Sequence, residues 1–371
     1  MAEPLKEVYN ETFLRSFGAK LRTASRSFDA EQFVQNVLDK PWDELELKQR
    51  MRKITETLGG FLPGRYEDAI RILLDVHESC KGFPYLILPD FVEVFGLGEE
   101  HWELSIQALE RFTSGSSSEF AVRPFILRDP ERMMRQMLAW TEHPDEHVRR
   151  LASEGCRPRL PWGRSLPMFK KDPTPIIPVL ERLKRDPSLY VRKSVANNLN
   201  DIAKDHPALV AEIAAQWKGS HAYTDWIVRH GCRTLIRNAD PAVLKLFGYS
   251  ASEDAEGKIA IYANLSAEPR KVPIGGGCEL SYEVHVRDGE PAKLRIEYGV
   301  DFVKAKGQTS RKLFLLSDKT VAGGMRLNGK RTHSWADLTT RRHYPGEHRI
   351  CLLINGREVS HTTITLTSPQ S

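Results

Sequence analysis

The segment EHVRRLASEG, residues 146–155, contains a Val-Arg pair that recurs in three other places. The pair also occurs in FAVRPFI (120–126), LYVRKSVANNL (189–199) and WIVRHGCRTLI (226–236). The pairs begin at 122, 148, 191 and 228, so three of the four lie about one helix pair apart. Repetition at this spacing is typical of HEAT and armadillo-type helical solenoids.

The remainder of the first 250 residues also favours helices. Apolar residues recur at helical spacing, and Asp29 with Gln32 three residues later has the form of a helix N-cap. We predict breaks at Gly59-Gly60 and Pro63-Gly64. Four prolines stand where a helix can start but not continue: Pro144, Pro187, Pro207 and Pro241. Each hairpin is expected to bury its Val and Ala, to place the Arg after each Val at an edge of the stack, and to contribute to a concave binding surface.

The pattern changes after Gly248. Residues 249–258, YSASEDAEGK, are small and polar and form a predicted linker. Beyond them apolar and polar residues alternate, as in half-buried strands, and Asn355-Gly356 is a hairpin turn signal. The alternating apolar positions are Leu280, Tyr282, Val284, Val286, Leu294, Ile296, Tyr298, Val300, Ile350, Leu352, Ile354, Ile364 and Leu366. We therefore predict a mainly α chain with a HEAT-like helical repeat domain at 1–250 and an immunoglobulin-like β-sandwich at 258–371.

Composition and motifs argue against several classes of protein. The chain has 371 residues, of which 40% are hydrophobic, but we find no signal peptide pattern and no apolar run of about 18 residues, so we expect a cytoplasmic protein. Its five cysteines form no CxxC pair and no zinc-ligand spacing, and we predict no metal and no cofactor. Cys278 and Cys351 lie on predicted strands; a cytoplasmic location favours two buried thiols over a disulfide. Walker A, GxSxG and HExxH motifs are absent from the sequence.

Positive charge is concentrated in one part of the helical region. The net charge is +5, but residues 147–193 hold twelve Lys or Arg against four Asp or Glu. A basic stripe is the usual footprint of a phosphate-binding face. The candidate phosphate contacts are Arg149, Arg150, Arg157, Arg159, Arg192 and Arg229.

Acidic and aromatic residues near the ends of these basic hairpins are the candidates for chemistry. Glu119, Glu154 and Asp201 would repel a bound phosphate, so their presence among arginines suggests a role. The alternative is that Glu154 pairs with Arg150 or Arg157 one helical turn away. Trp162, predicted on a loop, and Trp226, at a helix start, can stack on a sugar or base; filling gaps between repeats is the alternative.

With these residues in view, the chain resembles the AlkC branch of the HEAT-like alkylpurine DNA glycosylases, which are relatives of the AlkD enzymes. The resemblance covers roughly residues 1–250 and rests on SSEFAVRPFI (117–126), RRLASEGCRPRLPW (149–162) and YVRKSVANNLNDIAKDHP (190–207). It implies removal of N-alkylated bases, chiefly 3-methyladenine and in this branch 3-methylcytosine, from double-stranded DNA. It also implies a bacterial cytoplasmic enzyme, associated with the nucleoid during repair, with no membrane or obligate protein partner.

The resemblance makes Glu119, Glu154 and Asp201 the candidate catalytic carboxylates and Trp162 an aromatic wall. An N3-alkylated base carries a positive charge and leaves as a neutral molecule, so the enzyme has to stabilise an oxocarbenium-like sugar and position water. These motifs contain no amine nucleophile, which favours hydrolysis to an abasic site. Most glycosylases flip their target, but this superfamily captures the damaged nucleotide on its concave surface while it remains stacked.

The predicted sandwich carries a second basic segment, as in some AlkC relatives. Arg341 and Arg342, with His343 near Trp335, form a candidate DNA-contacting loop, with Lys330-Arg331 as a further basic pair. The loop would clamp the duplex from the side opposite the solenoid; a solvated basic loop is the alternative. Two rival functions are a non-catalytic HEAT scaffold for proteins and a DNA-binding architectural protein. Steep salt dependence of binding would exclude the scaffold but not the architectural protein.

Overall fold

A computed structural model of the protein describes residues 4–251, 253–254, 257–338 and 341–368. Contacts divide the chain into two compact units, Met1–Val210 with Trp217–Gly231, and Ala211–Gln216 with Cys232–Ser371. Residues 252, 255 and 256 of the predicted linker lie outside the described residues, and the predicted domain boundary there stays a prediction. Within the described ranges, no helix is long and apolar enough to cross a membrane.

Helices follow one another up to residue 231, as the repeated motifs predict. They are α1 Glu11–Ala24, α2 Ala30–Leu38, α3 Leu47–Phe61, α4 Tyr66–Val76, α5 Ile87–Phe95, α6 Trp102–Thr113, α7 Val122–Arg128, α8 Pro130–Trp140, α9 Glu146–Gly155, α10 Pro167–Lys171, α11 Ile177–Leu183, α12 Leu189–Ile202, α13 Pro207–Trp217 and α14 Ala222–Gly231. Short 3-10 segments occur at Leu5–Val8, Trp42–Glu44, His77–Ser79, Phe83–Leu86, Glu99–His101 and Thr174–Ile176.

The predicted boundaries of the early helices were partly right. Asp29 caps α2, because its side chain accepts a hydrogen bond of 3.0 Å from the backbone N–H of Gln32. The predicted break at Gly59-Gly60 was wrong, since α3 continues through both glycines. A Cβ at Gly59 would overlap the ring of Phe95. Gly59 therefore allows close packing of α5 against α3.

The four Val-Arg pairs fall on α7, α9, α12 and α14, and every valine of these pairs is buried. α12 packs against both α9 and α14. Gly155 at the end of α9 leaves no room for a side chain, because a Cβ there would stand 2.7 Å from Cγ2 of Val122. This stacking of neighbouring helices confirms the prediction of a HEAT-like solenoid.

Arg123 does not lie at an edge of the stack, as its position after Val122 had predicted. Its side chain is fully buried. It donates hydrogen bonds of 2.8 Å to the carbonyl of Gly155 and 2.9 Å to that of Arg157, and a third to the carbonyl of Arg164. Burial lowers the pKa of Arg123 to about 10, which leaves the guanidinium charged at neutral pH. Arg123 thus ties α7 to the segment that follows α9.

The second unit contains two short helices and a β-sandwich. The helices are α15 Arg233–Arg237 and α16 Pro241–Leu246, and the strands are β1 Glu253–Asp254, β2 Gly257–Lys258, β3 Ala260–Glu268, β4 Lys271–Pro273, β5 Gly277–Val286, β6 Ala292–Val303, β7 Thr309–Val321, β8 Arg326–Ser334, β9 Gly346–Ile354 and β10 Arg357–Thr367. One sheet has the order β4-β10-β9-β6-β7 and the other β3-β5-β8, while β1 pairs with β2. Within these sheets β10 and β4 are parallel and the other described pairs are antiparallel.

The strand prediction is confirmed at the level of individual residues. Leu280, Val284, Leu294 and Val300 are among the residues that fill the core between the sheets. The β9–β10 hairpin turns at Asn355-Gly356, where both residues have positive φ, as the turn signal requires. Cys278 and Cys351 are buried free thiols, as expected.

A cluster of buried aromatic and histidine rings lies inside the sandwich. The ring of Trp335 is fully buried, and the centroids of His333, His348 and His343 lie 4.7, 5.0 and 5.6 Å from it. Burial lowers the pKa of His333 to about 4, and it also lowers the pKa values of His343 and His348. These histidines are therefore neutral in the folded protein at pH 7.

Candidate active site

Three of the predicted functional motifs meet in the first unit. Glu119 lies in the turn between α6 and α7, Glu154 near the end of α9, and Asp201 near the end of α12. The turn is held by Ser118, whose hydroxyl donates a hydrogen bond of 2.7 Å to the carbonyl of Leu109. Because α9 packs against α12, the two helix ends bring Glu154 and Asp201 to the same place.

Two arginines link the three carboxylates into one chain of alternating charge, which we call the charge cluster: Glu119, Arg150, Glu154, Arg157 and Asp201. Arg150 contacts Glu119 and approaches Oε1 of Glu154 at 3.4 Å. Arg157 bridges the other pair, with Nη1 2.6 Å from Oε1 of Glu154 and Nε 2.8 Å from Oδ2 of Asp201. Both partners proposed for Glu154 on sequence grounds are therefore present.

Two further side chains complete the polar contacts of the charge cluster. The hydroxyl of Ser117 donates a hydrogen bond of 2.9 Å to Oε2 of Glu119. The ammonium of Lys204 lies 3.0 Å from Oδ1 of Asp201. Three carboxylates thus face two guanidinium groups and one ammonium, so the formal charges balance.

The charge cluster is shielded from solvent. The side chains of Asp201, Glu154 and Arg157 are 3%, 6% and 8% exposed. Burial acts to lower the pKa values of Arg150 and Arg157, but the neighbouring carboxylates outweigh it, so both pKa values are raised. Because both guanidinium groups stay charged, they hold the carboxylates in fixed positions.

A cavity of about 400 Å³ opens beside the charge cluster. Glu119, Glu154 and Arg157 line one part of it. The remaining lining includes apolar and aromatic side chains, namely Phe83, Leu86, Phe120, Leu160, Pro161 and Trp162. Asp201 does not line the cavity and is joined to it through Arg157.

Trp162 stands at the rim of this cavity in an unusual backbone conformation. Trp162 is 63% exposed, and its backbone φ of 61° lies in the left-handed region. The loop position predicted for Trp162 is correct, because the residue lies between α9 and α10. An exposed ring beside an apolar cavity is available to stack on a nucleotide.

The other predicted contacts lie outside the cavity lining. Trp226, on α14, is half-buried and stacks on His230 with ring centroids 4.2 Å apart. Nε of Arg149 is 2.7 Å from Oδ2 of Asp186, and this guanidinium also donates to two carbonyls. Arg159 forms a surface ion pair of 2.6 Å with Asp205.

The remaining arginines differ in exposure. Arg192 donates to the carbonyls of Asp186 and Pro187, and its guanidinium lies 3.9 Å from the ring centroid of Tyr223. Arg229, on α14, is half-buried. In the second unit, Arg342 is exposed, and the guanidinium of Arg341 lies 4.4 Å from the ring centroid of Phe302.

Sequence reasoning did not find three residues of this region. Phe120 lies within the motif that contains Glu119 and could have been selected with it. Phe83 is brought to the cavity by a long-range contact, because the N–H of Gly82 donates to the carbonyl of Gly115 at 2.8 Å. Lys48 contacts the carbonyl of Trp162 across 114 residues of sequence, and its ammonium lies 4.2 Å from the ring centroid of Phe120.

No set of three or more His, Cys, Asp or Glu side chains in the described ranges is arranged to hold a metal ion.

Comparisons with known proteins identify the family. Residues 262–368 match the family described as "Uncharacterised protein YhaZ, C-terminal Ig-like domain". The chain is 47% identical over 352 residues to "Uncharacterized protein YhaZ" of Bacillus subtilis (strain 168), covering 95% of this chain and 96% of that protein. It is 35% identical to the Pseudomonas fluorescens alkylpurine DNA glycosylase AlkC bound to DNA containing an abasic site analog, with a TM-score of 0.91 over 98% of this chain and 100% of that chain. The chain belongs to the AlkC family.

Membership of the AlkC family confirms the resemblance inferred from the three motifs. It also confirms the fold class, a helical solenoid followed by an immunoglobulin-like domain. The roles of individual site residues stay predictions.

Proposed function

We propose that this chain is a monofunctional DNA glycosylase that hydrolyses the N-glycosidic bond of cationic N-alkylated bases, 3-methyladenine and 3-methylcytosine, in double-stranded DNA. As a member of the AlkC family, it is a DNA glycosylase for alkylated bases. One observation supports the finer proposal best: Glu119 and Glu154 line the same cavity and are fixed by Arg150, an arginine they share.

The carboxylates suit a reaction in which positive charge moves from the base to the sugar. An N3-alkylated base is already cationic, so it departs as a neutral molecule and needs no proton from the enzyme. As the bond breaks, the charge develops on an oxocarbenium-like sugar, which fixed carboxylates stabilise. We assign this role to Glu154 and an assisting role, orientation of the attacking water, to Glu119.

Asp201 contributes to the same reaction through Arg157. Its carboxylate holds Nε of Arg157 at 2.8 Å, while Nη1 of that arginine contacts Glu154. Without Asp201, Nε of Arg157 would lose its partner, and the guanidinium would no longer be held in the position from which Nη1 contacts Glu154. Asp201 is therefore a positioning residue in this proposal, and Glu154 is the group that faces the sugar.

The arrangement also suits capture of the damaged nucleotide without conventional base flipping. Trp162 is exposed at the rim of the cavity, where its ring can stack on a nucleotide that remains in the duplex. We propose that Arg149, Arg159, Arg192, Arg229, Trp226, Arg341 and Arg342 neutralise or orient the DNA backbone. Arg150 and Arg157, expected from the sequence to do the same, are engaged by the buried carboxylates, so we propose that they position Glu119 and Glu154 instead. Arg342, which is exposed, is the clearest candidate in the second unit.

Hydrolysis without strand cleavage is the expected outcome. A lyase needs an amine that attacks C1′ of the sugar. Lys48 and Lys204 are amines close to this region, but Lys48 is hydrogen-bonded to the carbonyl of Trp162, Lys204 is paired with Asp201, and neither lines the cavity. The product of the reaction is therefore an abasic site in an intact strand.

The test is incubation of the full-length protein with N-methylated duplex DNA, chromatography of the released bases and electrophoresis of the DNA. The proposal predicts release of 3-methyladenine and 3-methylcytosine and strand breaks only after alkali treatment. DNA binding without base release would favour an architectural protein, and neither binding nor release would favour a scaffold. Strand breaks without alkali would refute the monofunctional assignment.

A further inference from the structure

The segment that carries Trp162, residues 156–166, has few regular hydrogen bonds of its own but is fixed by contacts from distant helices. We call it the Trp162 loop. Arg123 of α7 donates to the carbonyl of Arg164, and the Arg164 guanidinium lies 3.0 Å from Oε1 of Glu93 on α5. Lys48 of α3 donates to the carbonyl of Trp162 itself. Contacts from α3, α5 and α7 therefore hold the part of this loop that contains Trp162 and Arg164.

The contact from Lys48 falls where the backbone most needs support. Trp162 has a φ of 61°, a conformation that L-residues with bulky side chains rarely adopt and that costs roughly 1–3 kcal/mol. Such a conformation persists only where the surroundings impose it. The ring of Trp162 cannot impose it, because the residue is 63% exposed.

Lys48 also connects the two aromatic residues that flank the cavity. Its ammonium lies 4.2 Å from the ring centroid of Phe120 while it donates to Trp162. Phe120 and Trp162 both line the cavity with Glu119 and Glu154. The ammonium of Lys48 thus fixes the position of Trp162 relative to Phe120, the residue next to Glu119.

We propose that Lys48 is a positioning residue that sets the conformation of Trp162 at the rim of the cavity and so aligns the damaged nucleotide with the carboxylates. This inference rests on the proposed glycosylase function. Lys48 acts through the carbonyl of Trp162 and the ring of Phe120, and it does not touch the reacting sugar.

The test compares single-turnover rates of base release for four proteins: wild type, Lys48→Met, Trp162→Ala and the double variant. If Lys48 acts through Trp162, Lys48→Met lowers the rate about tenfold, and the double variant is no slower than Trp162→Ala alone. A Lys48→Arg variant, which can still donate to the carbonyl, recovers most of the rate. Affinity for undamaged duplex stays within about twofold of wild type in Lys48→Met, because Lys48 is not proposed to contact DNA.

Lys53→Met is the matched control. Lys53 lies on the same helix and donates to a backbone carbonyl, that of Asp39, at 2.5 Å, so the variant has the same change of charge and shape. We expect its rate to match that of wild type.

Several outcomes would overturn the inference. If the rate loss of the double variant equals the product of the losses of Lys48→Met and Trp162→Ala, Lys48 acts independently of Trp162. A loss of affinity for undamaged duplex with a shallower salt dependence would make Lys48 a phosphate contact. If Lys48→Met releases base at the wild-type rate, Lys48 has no role in positioning Trp162. If the wild-type protein itself releases no base, it is the proposed function that fails, and this result is distinct from the others.

Discussion

Replacement of Arg157 by methionine tests whether the charge cluster is as buried and as interdependent as the structure indicates. Arg157 is 8% exposed and bridges two carboxylates that are 6% and 3% exposed, Glu154 and Asp201. Methionine keeps much of the volume but removes the charge. Glu154 and Asp201 then lose the partner that they share. Arg150 still contacts Glu154, and Lys204 still contacts Asp201.

Breaking a buried ion pair by removing one partner typically costs about 3–5 kcal/mol, because the remaining charge is uncompensated. We therefore expect Arg157→Met to lower the free energy of unfolding by about 4 kcal/mol. For a unit of this size the midpoint of thermal unfolding should fall by roughly 10 °C. This is a large part of the 5–15 kcal/mol that is usual for a folded domain.

The assay is urea unfolding followed by circular dichroism at 222 nm, which reports mainly on the helical unit. Arg159→Met is the control, because Arg159 pairs with Asp205 at the surface, where the two side chains are 37% and 24% exposed. An exposed pair contributes about 0–1 kcal/mol. Equal stability losses in Arg157→Met and Arg159→Met would refute the argument that Arg157 compensates buried charge.

Three other predictions concern packing, pH and DNA. Gly155→Ala should destabilise the helical unit by about 1–3 kcal/mol, measured by the same urea unfolding, because the new methyl group would stand 2.7 Å from Cγ2 of Val122; an unchanged midpoint would contradict the close packing. Because burial lowers the pKa of His333 to about 4, whereas the unfolded ring titrates near 6.5, unfolding takes up a proton between these pH values. The free energy of unfolding of the second unit should therefore be highest above pH 6.5 and fall by about 3 kcal/mol as the pH drops through 4. Urea unfolding of a His333→Gln variant should show a weaker pH dependence than that of wild type. Binding to duplex DNA, measured by fluorescence anisotropy from 50 to 200 mM salt, should weaken steeply, and Arg342→Gln should reduce the log–log slope by about 0.9; an unchanged slope would remove Arg342 from the interface.

The sequence was most informative where a pattern directly reports burial. The valines of the Val-Arg pairs and the alternating residues of β5, β6 and β9, apart from the half-buried Tyr282, are buried because a packed helix or a half-buried strand demands apolar residues at that period. Asp29 and Asn355-Gly356 were predicted correctly because caps and tight turns depend on a few neighbouring residues.

Residues whose role depends on distant neighbours could not be predicted in this way. Arg123 is charged, and charged residues are usually exposed. Its guanidinium is instead buried, where it donates to three carbonyls of residues 155–164. Gly59 looked like a helix break, although the ring of Phe95 explains the glycine. No local pattern marks Lys48, because its partner Trp162 is 114 residues away.

The candidate site was partly visible in the sequence. Glu119, Glu154 and Asp201 are candidates because each lies near the end of a basic hairpin, in a motif that carries the resemblance to the AlkC branch, and the structure brings the three together. The sequence does not show which of the three line the cavity. Glu119 and Glu154 line it and Asp201 does not, because Arg157 lies between Asp201 and the cavity.

The role proposed for Glu154 is tested by the single-turnover rate of 3-methyladenine release by Glu154→Gln, compared with wild type at matched saturation of a methylated duplex. Glutamine keeps the shape of Glu154 but removes the charge that is proposed to stabilise the sugar cation. We expect a rate loss of about 100-fold with affinity for abasic-site DNA retained, in line with the loss of one fixed electrostatic group. A rate within threefold of wild type, in a variant that folds and binds DNA, would mean that Glu154 does not stabilise the sugar cation and is only a structural ion-pair partner of Arg157.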